Sequence, residues 1–108
     1  MLIVSFNFEA PVLEGYTIPH QVFWYGVDYP DSNFAIVSGG PAIHFEIEPA
    51  LPSGVDLSAD TGVIKGQPWR TVDEINEQKY TVTVSNPAGS SSFVYTMSFY
   101  HGGLFLFD

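Results

Sequence analysis

Apolar and polar residues alternate with a period of two along several short stretches of the chain, whereas the spacing of an amphipathic helix is almost absent. The clearest stretch is residues 43–48, where Ile43, Phe45 and Ile47 alternate with His44 and two glutamates. This alternation predicts a strand whose isoleucine and phenylalanine side chains face a core and whose other face meets water. Further strands are predicted at residues 2–8, 21–27, 34–37, 55–57, 62–65, 80–85 and 93–100.

Turn-forming residues separate these strands. Residues 86–90 combine asparagine, proline and glycine, which predicts a β-hairpin between the last two strands. Residues 72–79 are mostly polar and form either one helical turn or a loop. Eight prolines and ten glycines among seven or eight short strands favour an all-β sandwich, formed by a single domain over residues 1–108.

Length and charge narrow the range of functions. A chain of 108 residues and 11.9 kDa suits one domain. Three Lys and Arg residues against 12 Asp and Glu give a formal net charge of −9, so we expect neither nucleic acid nor an anionic membrane as a partner. The absence of cysteine excludes thiol catalysis, zinc–thiolate sites and disulfides. No apolar run reaches the roughly 20 residues of a membrane-spanning helix.

The first residues after Met1 contain no basic region, and their apolar stretch is short, so we do not expect them to form a signal peptide. If Met1 is the native start, we expect the protein to be made and kept in the cytoplasm of the producing cell. If it is not, the chain is a segment of a larger secreted protein. The sequence leaves both possibilities open.

Residues 45–57, 60–68 and 80–90 carry a resemblance to a known family. FEIEPALPSGVDL is followed by DTGVIKGQP and then by YTVTVSNPAGS. In this order and spacing, the three blocks resemble the immunoglobulin-like repeats of bacterial surface and phage proteins, which are related in fold to cadherin and dystroglycan-type domains. The resemblance implies an immunoglobulin-like β-sandwich of about seven or eight antiparallel strands. It implies little about activity, because such sandwiches host many functions.

Two segments depart from the pattern of that family. Residues 1–38 form an extended aromatic segment, and residues 101–108 form an apolar tail. The tail contains four consecutive large apolar residues, Leu104, Phe105, Leu106 and Phe107. The tail either pairs as an extra strand covered by its own domain or docks one face on another subunit. We predict interface residues in this tail and at Trp24 and Trp69, because tryptophan is favoured at interfaces and carbohydrate platforms.

Groups that could carry catalysis are few and scattered. His20, His44 and His101 lie far apart in the sequence, and no G-x-S-x-G motif is present. Glu46 and Glu48 alternate on one strand face, which is typical of a solvated face and not of a glycosidase cleft. No catalytic residue is therefore predicted, and the chain is not expected to be an enzyme.

Calcium is the one cofactor for which the acidic residues could supply ligands. Asp56, Asp60, Asp73, Glu74 and Glu77 could supply oxygen ligands, but they form no EF-hand or D-x-D loop. We interpret Asp60 as a turn residue whose side chain caps its own backbone. The prediction is therefore that no cofactor is bound, with calcium as the alternative.

These observations predict a non-enzymatic structural or adhesive module, more specifically a bacteriophage virion protein such as a capsid decoration or tail-associated subunit. The apolar terminal segments would dock on a capsid or tail lattice or on a second copy of the chain. Residues 30–33 and 71–78 would face outward. The alternative is one immunoglobulin-like repeat of a secreted bacterial adhesin or glycan-binding protein, located at the cell surface.

Overall fold

A computed structural model describes residues 9–30, 33–68 and 74–100. These residues form eight strands. The strands are β1 (Pro11–Tyr16), β2 (Gln21–Trp24), β3 (Ala35–Gly39), β4 (His44–Glu48), β5 (Val55–Leu57), β6 (Ile64–Gly66), β7 (Ile75–Asn86) and β8 (Gly89–Tyr100). Within the described ranges there is no helix with the length and apolar character needed to cross a bilayer.

One layer is a four-stranded sheet with the order β2-β8-β7-β4. The long strands β7 and β8 are its antiparallel centre, and β4 pairs antiparallel with β7 at one edge. At the other edge β2 runs parallel to β8, so this pair departs from the antiparallel arrangement expected throughout. Seven of the predicted strands are found among the described residues together with β1, and the strand predicted at residues 2–8 lies outside the described residues. The parallel edge places Trp24 beside Tyr100.

Two antiparallel ribbons, β1–β3 and β5–β6, form the other layer. The β1–β3 ladder extends by one pair beyond the strands, because the Thr17 N–H donates to the Phe34 carbonyl over 2.9 Å. Strand β1 was not predicted, since a proline and a glycine interrupt the alternation of residues 11–16. In the structure Pro11 opens the strand, and Gly15 follows a register shift, where its φ is 151°.

Aromatic rings dominate the core between the two layers. Tyr16 of β1 stacks on Tyr95 of β8 with ring centroids 4.7 Å apart, and Phe23 of β2 stacks on Phe99 of β8 at 4.9 Å. The other buried members of this cluster are Leu13, Tyr25, Phe45, Val55, Ile64, Tyr80, Val82, Val84 and Met97. Side chains from both layers enter one cluster, so the architecture is the predicted β-sandwich.

The hairpin predicted at residues 86–90 is confirmed, with Asn86 paired to Gly89. The Asn86 Oδ1 accepts a hydrogen bond from the Ala88 N–H at 2.7 Å, as an Asx turn requires. The Asn86 Nδ2 donates to the carbonyls of Glu9 at 2.7 Å and Pro41 at 3.0 Å. One side chain therefore shapes the turn and fastens two other segments to it.

Two predictions about strand residues are wrong. Residues 75–79 belong to β7 and form neither a helical turn nor a loop, because pairing with β8 provides partners for their backbone. Ile43 does not face the core and is 52% exposed. It precedes the first residue of β4, so the alternation that buries Phe45 does not extend to it.

Two predictions about loop residues are also wrong. Asn33 does not face outward: its side chain is 1% exposed and forms hydrogen bonds inside the molecule. In the turn that precedes β6, Ser58 supplies the capping oxygen that was expected of Asp60. Its Oγ accepts a hydrogen bond from the Thr61 N–H at 3.2 Å, and its carbonyl accepts one from the Gly62 N–H at 2.9 Å.

Candidate functional site

Of the predicted interface residues, Trp24 lies within the described part of the chain. Leu104, Phe105, Leu106, Phe107 and Trp69 lie outside the described residues. Trp24 lies on the outer face of the four-stranded sheet.

Trp24 is the last residue of β2, and its side chain is 44% exposed. It pairs in register with Tyr100 of β8, and the two rings lie 5.5 Å apart between centroids with an angle of 47° between their planes. The backbone around Trp24 is held firmly, because the Tyr29 hydroxyl accepts a hydrogen bond from the Trp24 N–H at 2.9 Å. The next residue, Tyr25, donates its N–H to the Tyr100 carbonyl at 2.8 Å. We call Trp24 and Tyr100 the aromatic platform.

A β-bulge in β7 borders the aromatic platform. The register shifts between Ile75 and Gln78, so Asn76 and Glu77 form the irregular part of the strand. The Tyr100 hydroxyl donates to the Asn76 Oδ1 over 2.6 Å. Glu77 has a φ of 55°, which a residue with a side chain rarely adopts. Bulges of this kind are common where a strand has to re-aim a side chain.

Ser98 lies beneath the bulge and contacts His20, which is the one serine–histidine contact that the structure gives for the described residues. The His20 Nε2 and the Ser98 Oγ are 3.1 Å apart, and the same Oγ accepts a hydrogen bond from the Glu77 N–H at 3.0 Å. Ser98 is 1% exposed, so a substrate cannot reach its hydroxyl. The contact therefore fastens the bulge to β8 and does not form a nucleophile–base pair.

A second apolar surface lies on the outer face of the β1–β3 ribbon. Val12, Phe34 and Ile36 are 46%, 46% and 44% exposed, and alternation places all three on the side of the ribbon that faces away from the core. We call these three residues the apolar stripe. The acidic residue in this ribbon, Glu14, accepts a hydrogen bond from the Ser38 hydroxyl at 2.5 Å. The stripe is therefore an apolar surface with one carboxylate beside it.

The edge strand β4 carries the two glutamates that alternate on one strand face. Glu46 lies 3.0 Å from the His44 Nε2 at the surface, and Glu48 faces solvent two residues further along. An open depression of about 530 Å³ separates β4 from β5, with Ile47 and Leu51 in its wall and Asp56 at its margin. Among the described residues no three acidic or histidine side chains converge as a metal site would require. One of the predicted calcium ligands, Asp73, lies outside the described residues.

Comparison with known proteins agrees with this fold. Residues 25–99 match a family model described as "Putative Ig domain". The chain therefore belongs to this immunoglobulin-like family, which makes it a structural or adhesive module. No curated protein matches the chain.

A solved structure shares the architecture at low sequence identity. It is the crystal structure of a "putative alpha-galactosidase/melibiase" from Bacteroides fragilis NCTC 9343, with 20% identity and a TM-score of 0.54. The match covers 87% of this chain and 18% of that chain. This likeness extends to the fold alone, since the chain spans less than a fifth of the length of that protein.

Proposed function

We propose that the chain is a non-enzymatic adhesive module that attaches to a protein partner through its apolar outer surface. More specifically, the chain would be a bacteriophage virion subunit that decorates a capsid or belongs to a tail. The observation that carries the docking proposal is the apolar stripe of Val12, Phe34 and Ile36. Contiguous apolar side chains on the outside of a small domain are typical of a surface that a partner covers.

Two features support attachment to a large repeated surface. The segment from Leu104 to Phe107 adds four large apolar side chains that could bind the same partner, although it lies outside the described residues. The net charge of −9 would keep the many outward-facing copies on a particle soluble and apart. Both features agree with a location on the virion.

The buried position of Ser98 supports the proposed absence of catalysis. The described histidines, His20 and His44, contact this buried serine and the exposed Glu46. Neither arrangement provides a nucleophile with an activating base and room for a substrate beside it. The proposal therefore assigns the chain a binding function.

Co-sedimentation with virus particles tests the proposal. The particles are those encoded by the genome that carries this reading frame, prepared without the protein and mixed with the purified chain. The stripe variant V12S/F34S/I36S and a chain ending after Tyr100 should each lose most of the particle-bound fraction. Val94→Ser is the matched control, because Val94 is 56% exposed on the outer face of the other sheet.

Full retention by both variants, or equal loss by the control, would contradict docking through these surfaces. Circular dichroism of each variant checks that the fold is intact. A reading frame located among capsid and tail genes would support the virion form of the proposal.

The second candidate function is one immunoglobulin-like repeat of a secreted adhesin or glycan-binding protein. The observation that favours it is the likeness to 18% of a much longer chain, which shows this fold as part of a larger protein. A reading frame that continues into further domains behind a signal peptide would support this candidate over the virion subunit.

A further inference from the structure

We infer that the aromatic platform of Trp24 and Tyr100, bordered by the bulge at Asn76 and Glu77, is a binding site for a neutral carbohydrate. The inference concerns the outer face of the four-stranded sheet, opposite the apolar stripe. It does not depend on the protein partner proposed above.

The two rings of the platform stand on a fixed backbone. The backbone of Trp24 is held by parallel pairing to β8, by the Tyr29 hydroxyl and by a turn in which the Val27 N–H donates to the Trp24 carbonyl at 3.1 Å. Tyr100 is fixed by its hydroxyl bond to Asn76. A surface that is rigid before binding loses little conformational entropy when a ligand binds, so a few contacts suffice.

The shape of the platform suits one sugar ring. The ring centroids are 5.5 Å apart, which is about the length of one pyranose unit, and the rings meet at 47° on an open sheet face. The C–H groups on one face of a sugar ring pack against such exposed aromatic surface. A quaternary ammonium ligand is bound instead by a cage of rings around the cation, which these two adjacent rings do not form.

A polar side chain lies beside the rings. Asn76 has its Oδ1 occupied by Tyr100, while no described residue accepts a hydrogen bond from its Nδ2. A planar amide next to aromatic rings is the arrangement that binds sugar hydroxyls, which both donate and accept hydrogen bonds. The bulge keeps Asn76 there, because the Ser98 Oγ holds the Glu77 N–H at 3.0 Å.

Charge selects a neutral ligand over an anionic one. The chain has 12 acidic against three basic residues, and Glu77 is an exposed carboxylate of the bulge itself. A sulfated or uronic-acid polymer would be repelled by this field. An uncharged hexose or pentose polymer binds without that penalty.

Affinity electrophoresis tests the inference, with the purified chain run through gels containing a soluble β-glucan, xylan, galactan or mannan. At least one polysaccharide should retard the chain, and titration calorimetry with an oligosaccharide of that polymer gives its Kd. Trp24→Ala should weaken binding at least about tenfold and Asn76→Ala by a smaller factor, because buried aromatic contacts dominate small interfaces. Val94→Ala is the control, since Val94 is 56% exposed on the same sheet face but lies six residues before Tyr100 along β8.

Trp24 also gives a spectroscopic signal. The chain has two tryptophans, so replacing Trp69 with phenylalanine leaves Trp24 as the only indole fluorophore. Its emission should shift to the blue on addition of the oligosaccharide, as the ring leaves water. If the Trp24→Ala variant does not fold, the affinity of Asn76→Ala and the shift in Trp24 emission test the inference instead. Retardation by none of the four polymers, or equal loss of binding in Val94→Ala, would overturn the inference. Stronger retardation in a parallel gel that contains an acidic polysaccharide would overturn it as well.

Discussion

At the scale of single residues, buried polar side chains provide specific connections within a largely apolar core. Asn33 connects three segments: its Oδ1 accepts from the Ile18 N–H at 3.1 Å, and its Nδ2 donates to the Gln21 Oε1 at 3.2 Å and the Tyr95 hydroxyl at 2.9 Å. The network joins the connection between β1 and β2, which contains Ile18, to Tyr95 of strand β8. A buried polar group without a hydrogen-bond partner lowers the stability of the fold, so the loss of one member of this network also affects the groups bonded to it.

Replacing Asn33 by alanine should destabilise the fold by about 2–3 kcal/mol, because it leaves the Gln21 carboxamide and the Ile18 N–H without their partner inside the protein. Urea unfolding followed by circular dichroism measures the change. Ser38→Ala is the control, since it removes a hydrogen bond to Glu14 at the surface and should cost less than about 0.5 kcal/mol. Equal effects of the two substitutions would show that the buried network contributes little to the free energy of unfolding.

The buried tyrosines predict a loss of stability in alkali. Burial raises the pKa of Tyr16 above the ordinary 10.0, and the neighbouring Tyr95 raises it further. Burial also raises the pKa of Tyr95, although its hydrogen bond with Asn33 opposes the shift. The unfolded chain therefore releases these protons first, so the stabilising contribution is complete below pH 10 and declines as the pH rises above it.

The free energy of unfolding should fall above about pH 10 by up to about 1.4 kcal/mol per pH unit for each such tyrosine. Urea unfolding at a series of alkaline pH values tests this, with absorbance near 295 nm reporting tyrosinate. Tyr16→Phe should make the decline shallower while lowering stability at neutral pH, because it loses the hydroxyl bond to the Gly62 carbonyl at 2.8 Å. An unchanged slope in this variant would contradict the assignment.

At the scale of elements, the turns between short strands require backbone conformations that glycine alone adopts easily. Gly62 has a φ of 77°, and a Cβ placed on it would lie 2.6 Å from the ring of Phe45. The residue therefore serves two purposes: it permits the turn held by Ser58, and it leaves space for a core ring of β4. Such a glycine couples the β5–β6 ribbon to the opposite sheet.

Gly62→Ala should destabilise the protein by about 2–4 kcal/mol, since it combines an unfavourable φ with a steric overlap. Phe45→Ala removes the ring that the new methyl group would meet. The double variant should therefore be more stable than the sum of the two single effects, by at least about 0.5 kcal/mol in a double-mutant cycle. Strict additivity would show that backbone strain accounts for the whole effect.

The sequence predicts these elements where local pattern and tertiary structure agree. Alternation was sufficient to predict β4, and the turn-forming residues were sufficient to predict the hairpin at Asn86, since both features are determined by the local sequence. It was insufficient for β1, whose Pro11 and Gly15 are tolerated because β3 supplies the ladder. One residue of the aromatic platform was predicted from the sequence, because Trp24 was expected at an interface. Its contact with Tyr100 was not predicted, because it depends on the parallel pairing of β2 with β8, which the alternation of residues does not encode.

At the scale of the whole molecule, net charge opposes the compact state. With 12 acidic residues against three basic ones, the folded chain brings like charges together. Glu48 and Asp56 illustrate this, because both line the depression between β4 and β5 and both are exposed. Repulsion of this kind acts through solvent and is screened by salt.

The urea midpoint should therefore rise when sodium chloride is increased from about 10 mM to about 150 mM, as the Debye length falls from about 30 Å to about 8 Å. A gain on the order of 1 kcal/mol is expected from many weak repulsions between exposed groups. The variant E48Q/D56N removes two of the 12 acidic charges without touching the core, so its stability should be higher in low salt and should depend less on salt. If the variant responds to salt as strongly as the parent chain, the stabilisation by salt arises from the solvent and not from these charges.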